Sequence, residues 1–171
     1  IKPKIHFKEN SESSIDSYVN VTVEDPKLCP RYAARLIKNV NVGPSPDWLK
    51  KRIESAGFRS INNVVDITNY VLMELGHPLH AFDFSKIHNG SIVVKNALAN
   101  QSFITLDGNE RQLKEYMLMI CDPLTPLAIA GVMGGQNSEV TLQTTDILIE
   151  SAYFNPSSIR KTSKVLGLSS E

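Results

Sequence analysis

RSINNVVDITNYVLMELGHPLHAFD, residues 59–83, joins three kinds of local chemistry in one unbroken run. Arg59 to Asn63 form a polar approach. Val64, Ile67, Val71 and Leu75 then recur every three to four residues, which predicts a helix with one apolar stripe running through to Gly76. Asn63 is expected to cap that helix, and Asp66 suits its positive N-terminal end. Beyond it, Pro78 in His77-Pro78-Leu79-His80 blocks a regular helix and fixes the local backbone. Polar groups held at both ends of one rigid element are what a small-molecule pocket requires.

Outward from this run, Asp47 to Ala56 carries Trp48, Leu49, Ile53 and Ala56 at helical spacing, with Gly57 placed to end the helix. Upstream, Tyr18 to Val23 alternates with period two, and Arg31 to Val42 holds a second strand-like run. Downstream the helical period gives way to short strands: Ile92–Lys95, Ser102–Leu106, Tyr116–Cys121, Leu127–Val132 and Asp146–Phe154. Asp107-Gly108-Asn109 marks a tight turn among them. Pro156 to Leu166 reads as a closing helix, with Pro in its first turn and Gly167 past its end. The expected class is α+β, with helices grouped in the first half and packed on a mainly antiparallel β-sheet. Residues 1–17 read as a linker from a preceding module and 18–171 as one domain, a fragment of a longer chain.

Composition narrows the partners. Hydrophobic and charged fractions of 42% and 21% are ordinary for a globular protein. The longest apolar stretch, Leu127 to Met133, is far too short to span a bilayer. No membrane association is therefore expected. With no secretory pattern at the N-terminus, the expected location is cytoplasmic. Cys29 and Cys121 stand apart and read as reduced thiols. Eighteen basic residues balance eighteen acidic ones. Since phosphate neutralisation supplies most nucleic-acid affinity, this domain alone should hold RNA weakly.

Glu150 is the sharpest candidate for chemistry. On a strand, Leu148, Glu150, Ala152 and Phe154 share one face. A carboxylate among apolar neighbours must be paired, protonated or reserved for a ligand. A structural Glu bonded to buried backbone or an Arg is the plainer alternative. His80 is either a core histidine bonded to Asp83 or a pocket group. A metal site with His77 lacks a third ligand, and none is expected. Ala130 to Gly135 contains Gly134 and Gly135 but matches no phosphate-loop pattern, so close backbone approach explains it better than nucleotide binding. Arg59, Thr68 and Asn69 sit near the front of the second helix, where a solvated charge and helix-surface residues are the bland reading.

The blocks CPRYAARLI, RSINNVVDITNYVLMELGHPLHAFD, AGVMGG, the Asp146–Phe154 strand and the closing IRKTSKVLGL occur in one order. Together they resemble the editing domain of the β subunit of bacterial phenylalanyl-tRNA synthetase over about residues 18–171. The resemblance implies hydrolysis of tyrosine wrongly attached to phenylalanine tRNA. It places Glu150 and Gly134 at the tyrosine hydroxyl, with Gly135 beside them, and His80 near the ester and terminal ribose. Arg59, Thr68 and Asn69 fall among residues lining the pocket, with Asn69 and His80 positioning ester and water. Ser170 stands where the family often carries Thr, which retains a hydroxyl. Implied partners are the tRNA(Phe) 3′ end carrying tyrosine and a synthetase α subunit in an α2β2 assembly. No cofactor is implied in this domain, whereas ATP and Mg2+ are expected for the parent enzyme. The competing reading is a non-catalytic tRNA-binding or structural module of the synthetase.

Overall fold

The computed structural model describes residues 13–168. Ser170 and residues 1–12 of the expected linker lie outside the described residues. Within the linker, Ile15–Ser17 form a 3-10 turn, and Ile15 packs partly against the core. The strands are β1 Asn20–Val23, β2 Arg31–Ile37, β3 His80–Asp83, β4 Ser91–Asn96, β5 Ser102–Ile104, β6 Glu110–Gln112, β7 Leu118–Cys121, β8 Pro126–Ile129, β9 Met133–Gly134 and β10 Ile147–Tyr153. Helices α1 Asp47–Ser55, α2 Asn63–Leu75 and α3 Pro156–Leu166 complete the regular structure. The class is mixed α+β, as the sequence predicts. None of the described helices is long and apolar enough to cross a membrane.

Two sheets face each other. One has the strand order β1-β4-β7-β8-β9, antiparallel except for the parallel β1–β4 pair. The other is antiparallel, order β2-β10-β3, with β10 at its centre. Strand alternation sends Ile92, Val94, Leu118 and Ile120 of the larger sheet into the seam, where they meet Phe82 and Leu148 of the smaller. The opposite side chains of β7, Met119 and Cys121, pack with Phe103, Leu113 and Leu168 under the β5–β6 hairpin. β7 is thus buried on both faces and reads as a continuous apolar run. The outer face of the smaller sheet, with Ala81, Ile147 and Ile149, carries Val64 of α2.

Helix ends follow local chemistry. α3 begins at Asn155, whose side chain accepts from Ser157 N (3.1 Å) and Ser158 N (3.2 Å), with Pro156 in the first turn. α1 buries Leu49 and Ile53 and leans on α2, where Arg52 Nη1 donates to Tyr70 Oη at 2.7 Å.

α2 differs from expectation in three respects. Its cap is Asn62, which accepts from Val65 N at 2.9 Å. Asn63 faces away to fasten the preceding loop, donating to Asn41 O (2.9 Å) and accepting from Gly43 N (3.1 Å). The predicted stripe is not the buried face either. Val64, Asp66 and Thr68 are buried, whereas Ile67 and Leu75 are 52% and 54% exposed. The cause is Asp66, fully buried and accepting from Ser45 Oγ (2.5 Å), Ser60 Oγ (2.5 Å) and Ile61 N (2.9 Å). A buried carboxylate must find donors, and satisfying this one turns the helix and folds the polar approach back onto it. Beyond Gly76, which ends α2 in the left-handed region at φ 69°, the His segment enters the smaller sheet as edge strand β3.

Asp66→Ala leaves those donors without their acceptor. It is expected to cost on the order of 3 kcal/mol, read as a lower urea midpoint with an unchanged denaturant slope.

Candidate functional site

The register of the smaller sheet assembles the site. Glu150 on β10 lies directly opposite Ala34 on β2 and directly opposite His80 on β3. Residues opposite one another in an antiparallel pair point to the same face. Glu150 and His80 therefore share the inner face with Leu148, Phe82 and Tyr32, turned toward the seam between the sheets. Glu150 is 6% exposed.

No basic side chain among the described residues bonds this carboxylate. Its partner is Tyr32, two residues before Ala34 on β2, whose hydroxyl donates to Oε2 at 2.8 Å. Burial pushes the Glu150 pKa up to about 7, and the Tyr32 bond acts against that rise. The Tyr32 phenol is pushed far up, first by burial and then by the charge of Glu150. Oε1 takes no donor from the described residues.

His80 is half-buried and stacks edge-on against Phe82, ring centroids 4.6 Å apart. Desolvation lowers its pKa to about 4, so the imidazole is neutral at neutral pH. It does not bond Asp83, the partner considered from the sequence. Asp83 instead accepts from Ser85 N (3.0 Å), Ser85 Oγ (2.7 Å) and Thr144 Oγ1 (2.7 Å). Three residues apart on a strand, the two side chains lie on opposite faces.

Gly134 closes onto His80 from the larger sheet. A Cβ there would stand 2.7 Å from Cε1 and 2.8 Å from Nε2 of the imidazole, so the ring occupies the space a side chain would need. Gly134 pairs with Ala128, and its carbonyl accepts from Leu106 N at 3.0 Å. Because Gly135 N donates to Leu127 O (2.8 Å), alternation aims the Gly134 N–H away from β8. The Gly135 N–H is thus engaged in the sheet, and a Cβ on Gly135 would meet Phe103 at 2.5 Å. That glycine answers to packing.

The remaining candidates are not gathered around Glu150 by any bond. Arg59 is exposed. Thr68 is buried with its hydroxyl donating to Val65 O at 2.7 Å, and Asn69 is half-buried. Both ride on α2, which packs through Val64 on the outer face of the sheet. Sequence reasoning missed Tyr32. Its signal was the alternation Tyr32-Ala33-Ala34-Arg35-Leu36 within a strand-like run, but no pattern gives the register that aims it at Glu150. Among the described residues no group of three or more His, Cys, Asp or Glu could hold a metal ion.

Two apposed sheets place a buried carboxylate and a neutral imidazole together at their seam. The B3/4 domain model matches residues 28–171, and the chain belongs to that family. It is 59% identical over 160 residues to the phenylalanine–tRNA ligase β subunit of Syntrophotalea carbinolica, covering 94% of this chain and 20% of that protein. With the same subunit of Bacillus cereus it shares 50% over 169 residues, covering 99% and 21%. The chain thus spans about a fifth of the length of these relatives. An N-terminal fragment of the phenylalanyl-tRNA synthetase β subunit from Pyrococcus horikoshii has the same fold, with a TM-score of 0.60 at 16% identity over 96% of this chain and 50% of that one.

The two titrating neighbours give a pH signature. Glu150 rises from 4.5 to about 7, so the folded state holds its proton longer, and stability falls as pH climbs from about 4.5 to 7. His80 drops from 6.5 to about 4, so the unfolded state binds the extra proton, and stability rises from about pH 4 to 6.5. Each slope amounts to up to ~3 kcal/mol, and they oppose one another. Relative to wild type, Glu150→Gln should gain stability with rising pH, whereas His80→Gln should lose it; urea midpoints at pH 4.5, 5.5 and 6.5 test both. Gly134→Ala should cost ~1–3 kcal/mol and shift the His80 ring resonances, since the imidazole must move.

Proposed function

We propose that this domain edits, hydrolysing tyrosine from mischarged Tyr-tRNA(Phe), with Glu150 recognising the hydroxyl that separates tyrosine from phenylalanine. The observation that carries the reading is a carboxylate 6% exposed, free of basic partners among the described residues, whose Oε1 takes no donor from them. Tyrosine is phenylalanine plus one oxygen, so no pocket that admits tyrosine excludes phenylalanine by size. Discrimination must come from a polar partner. A charged hydrogen bond contributes roughly 1.5–3 kcal/mol, about 10- to 150-fold. Sites built around a substrate hydroxyl reach about 10⁴–10⁵ in total. Tyr32 already satisfies Oε2, so only Oε1 is left without a donor when phenylalanine enters. The contribution of Glu150 alone therefore belongs in the lower of those ranges.

The ester needs less help, because an aminoacyl ester is already activated. Placing it beside a water lowers the barrier. A neutral His80 suits that role: its two nitrogens offer one donor and one acceptor, for the terminal ribose and the water. Gly134, seated on the same ring, brings backbone to the mouth of the seam. Arg59, Thr68, Asn69 and Ser170 are assigned to the tRNA end and the pocket wall on the resemblance. Zero net charge fits a domain that receives its substrate. The rest of the β subunit and the α subunit would hold the tRNA and supply ATP-dependent charging.

The test is deacylation of Tyr-tRNA(Phe) and Phe-tRNA(Phe) by the full synthetase. Glu150→Ala should cut the preference for the tyrosyl ester by about 10- to 100-fold. His80→Ala should slow both esters, by on the order of 10²-fold. An unchanged tyrosyl preference in Glu150→Ala would sink the reading and leave a tRNA-binding or structural module.

A further inference from the structure

Tyr32 is the residue beside Glu150 to which the sequence assigned nothing. The β2–β10 register sets Ala34 opposite Glu150 and Ala152 opposite Tyr32, so Tyr32 and Glu150 are diagonal neighbours on one face. Each long side chain thus faces only a methyl group across the strand pair. That leaves room for the phenol to reach the carboxylate along the diagonal, and the 2.8 Å bond to Oε2 is the result. We propose that Tyr32 is a positioning residue for tyrosine discrimination: its hydroxyl anchors Oε2 of Glu150 and thereby presents Oε1 to the phenol of the substrate. This deepens the editing reading and rests on it.

A Glu side chain has three rotatable bonds, and a carboxylate in an apolar seam turns toward whatever donor is near. Without an anchor, Glu150 would lose entropy on every encounter with substrate. With Oε2 tied, the remaining oxygen is held in place before the ligand arrives. The groups facing this carboxylate are Tyr32 and Cys29 from the β2 side and His80 from β3. The Cys29 thiol is pushed up to about 11 and the imidazole down to about 4, so neither carries charge at neutral pH. Tyr32 therefore supplies the one interaction among the described residues that favours the ionised carboxylate.

The experiment uses the full synthetase carrying Tyr32→Phe, which keeps the ring and removes the hydroxyl. The ratio of Tyr-tRNA(Phe) to Phe-tRNA(Phe) deacylation should fall about tenfold, mainly through KM of the tyrosyl ester. The acidic limb of the tyrosyl pH profile should move to higher pH, because the carboxylate protonates more readily without its donor. Incorporating 3-fluorotyrosine at position 32 preserves packing while strengthening the donor, and should move that limb to lower pH. A residue that merely filled space would slow both esters alike and leave the limb in place, which overturns the proposal. A higher tyrosyl preference in Tyr32→Phe also overturns it, since the internal phenol would then be competing with substrate. Failure of the parent reading is separable: there Glu150→Ala leaves the preference intact, whereas failure of this proposal alone leaves Glu150→Ala defective and Tyr32→Phe unaffected.

Discussion

A carboxylate placed between two β-sheets and satisfied on one oxygen by a tyrosine sets the terms for the rest of the structure. Glu150 sits at the centre of the three-stranded sheet, so neither its backbone nor its side chain can escape to an edge. An unpaired buried carboxylate costs several kcal/mol. Tolerating it requires a donor on the neighbouring strand, no charged basic group to quench it and, on the β2 side, no bulky side chain opposite. β2 meets these needs with Tyr32 and Ala34, and β3 adds His80 held neutral by burial. From the facing sheet, Gly134 is cut down to hydrogen so that the imidazole fits. Four elements far apart in sequence are constrained by one functional group.

Much of this layout is legible from residues alone, and the reasons for the gaps are physical. Period-two alternation put Glu150 on the face of Leu148 and Ala152, because side-chain direction in a strand is a local property. The closing helix and its Pro and Gly boundaries were readable for the same reason. Register is not local. Which residue of β2 or β3 lies opposite Glu150 depends on how three distant segments pair, so Tyr32 was invisible and the pairing of His80 with Glu150 could not be read, although His80 itself was a candidate. α2 fails differently. Its apolar positions form a helical stripe, yet Asp66 turns inward to collect three hydrogen bonds and leaves Ile67 and Leu75 outside. Hydrophobic periodicity ranks faces by transfer energy alone and does not register a buried carboxyl group that gathers its own donors.

The same polar residue explains why the stretch 59–83 holds together as a unit. Asp66 fastens Ser60 and Ile61 to the start of α2, Asn62 caps it, and Asn63 secures the loop at 41–43. Gly76 then releases the chain into β3, where pairing with β10 delivers His80 to Glu150. The element with polar groups at both ends also positions its neighbours. Its front end is tied by hydrogen bonds to surrounding loops and its rear end is a strand whose register places the imidazole.

The poise of Glu150 bears on how such a site discriminates at all. At a pKa of about 7 the group is near half-ionised at neutral pH. On the proposed editing reading, the protonated form carries no charge, so phenylalanine entering beside it would leave little uncompensated and selection would weaken. The ionised form accepts strongly from a phenol and is poorly served by a bare ring. Burial deep enough to exclude water therefore works against the ionised state that burial is meant to exploit. A single neutral donor resolves the conflict. It shifts the balance toward charge without neutralising it, as a lysine or arginine would, and it occupies one oxygen only. A tyrosine hydroxyl meets all three conditions.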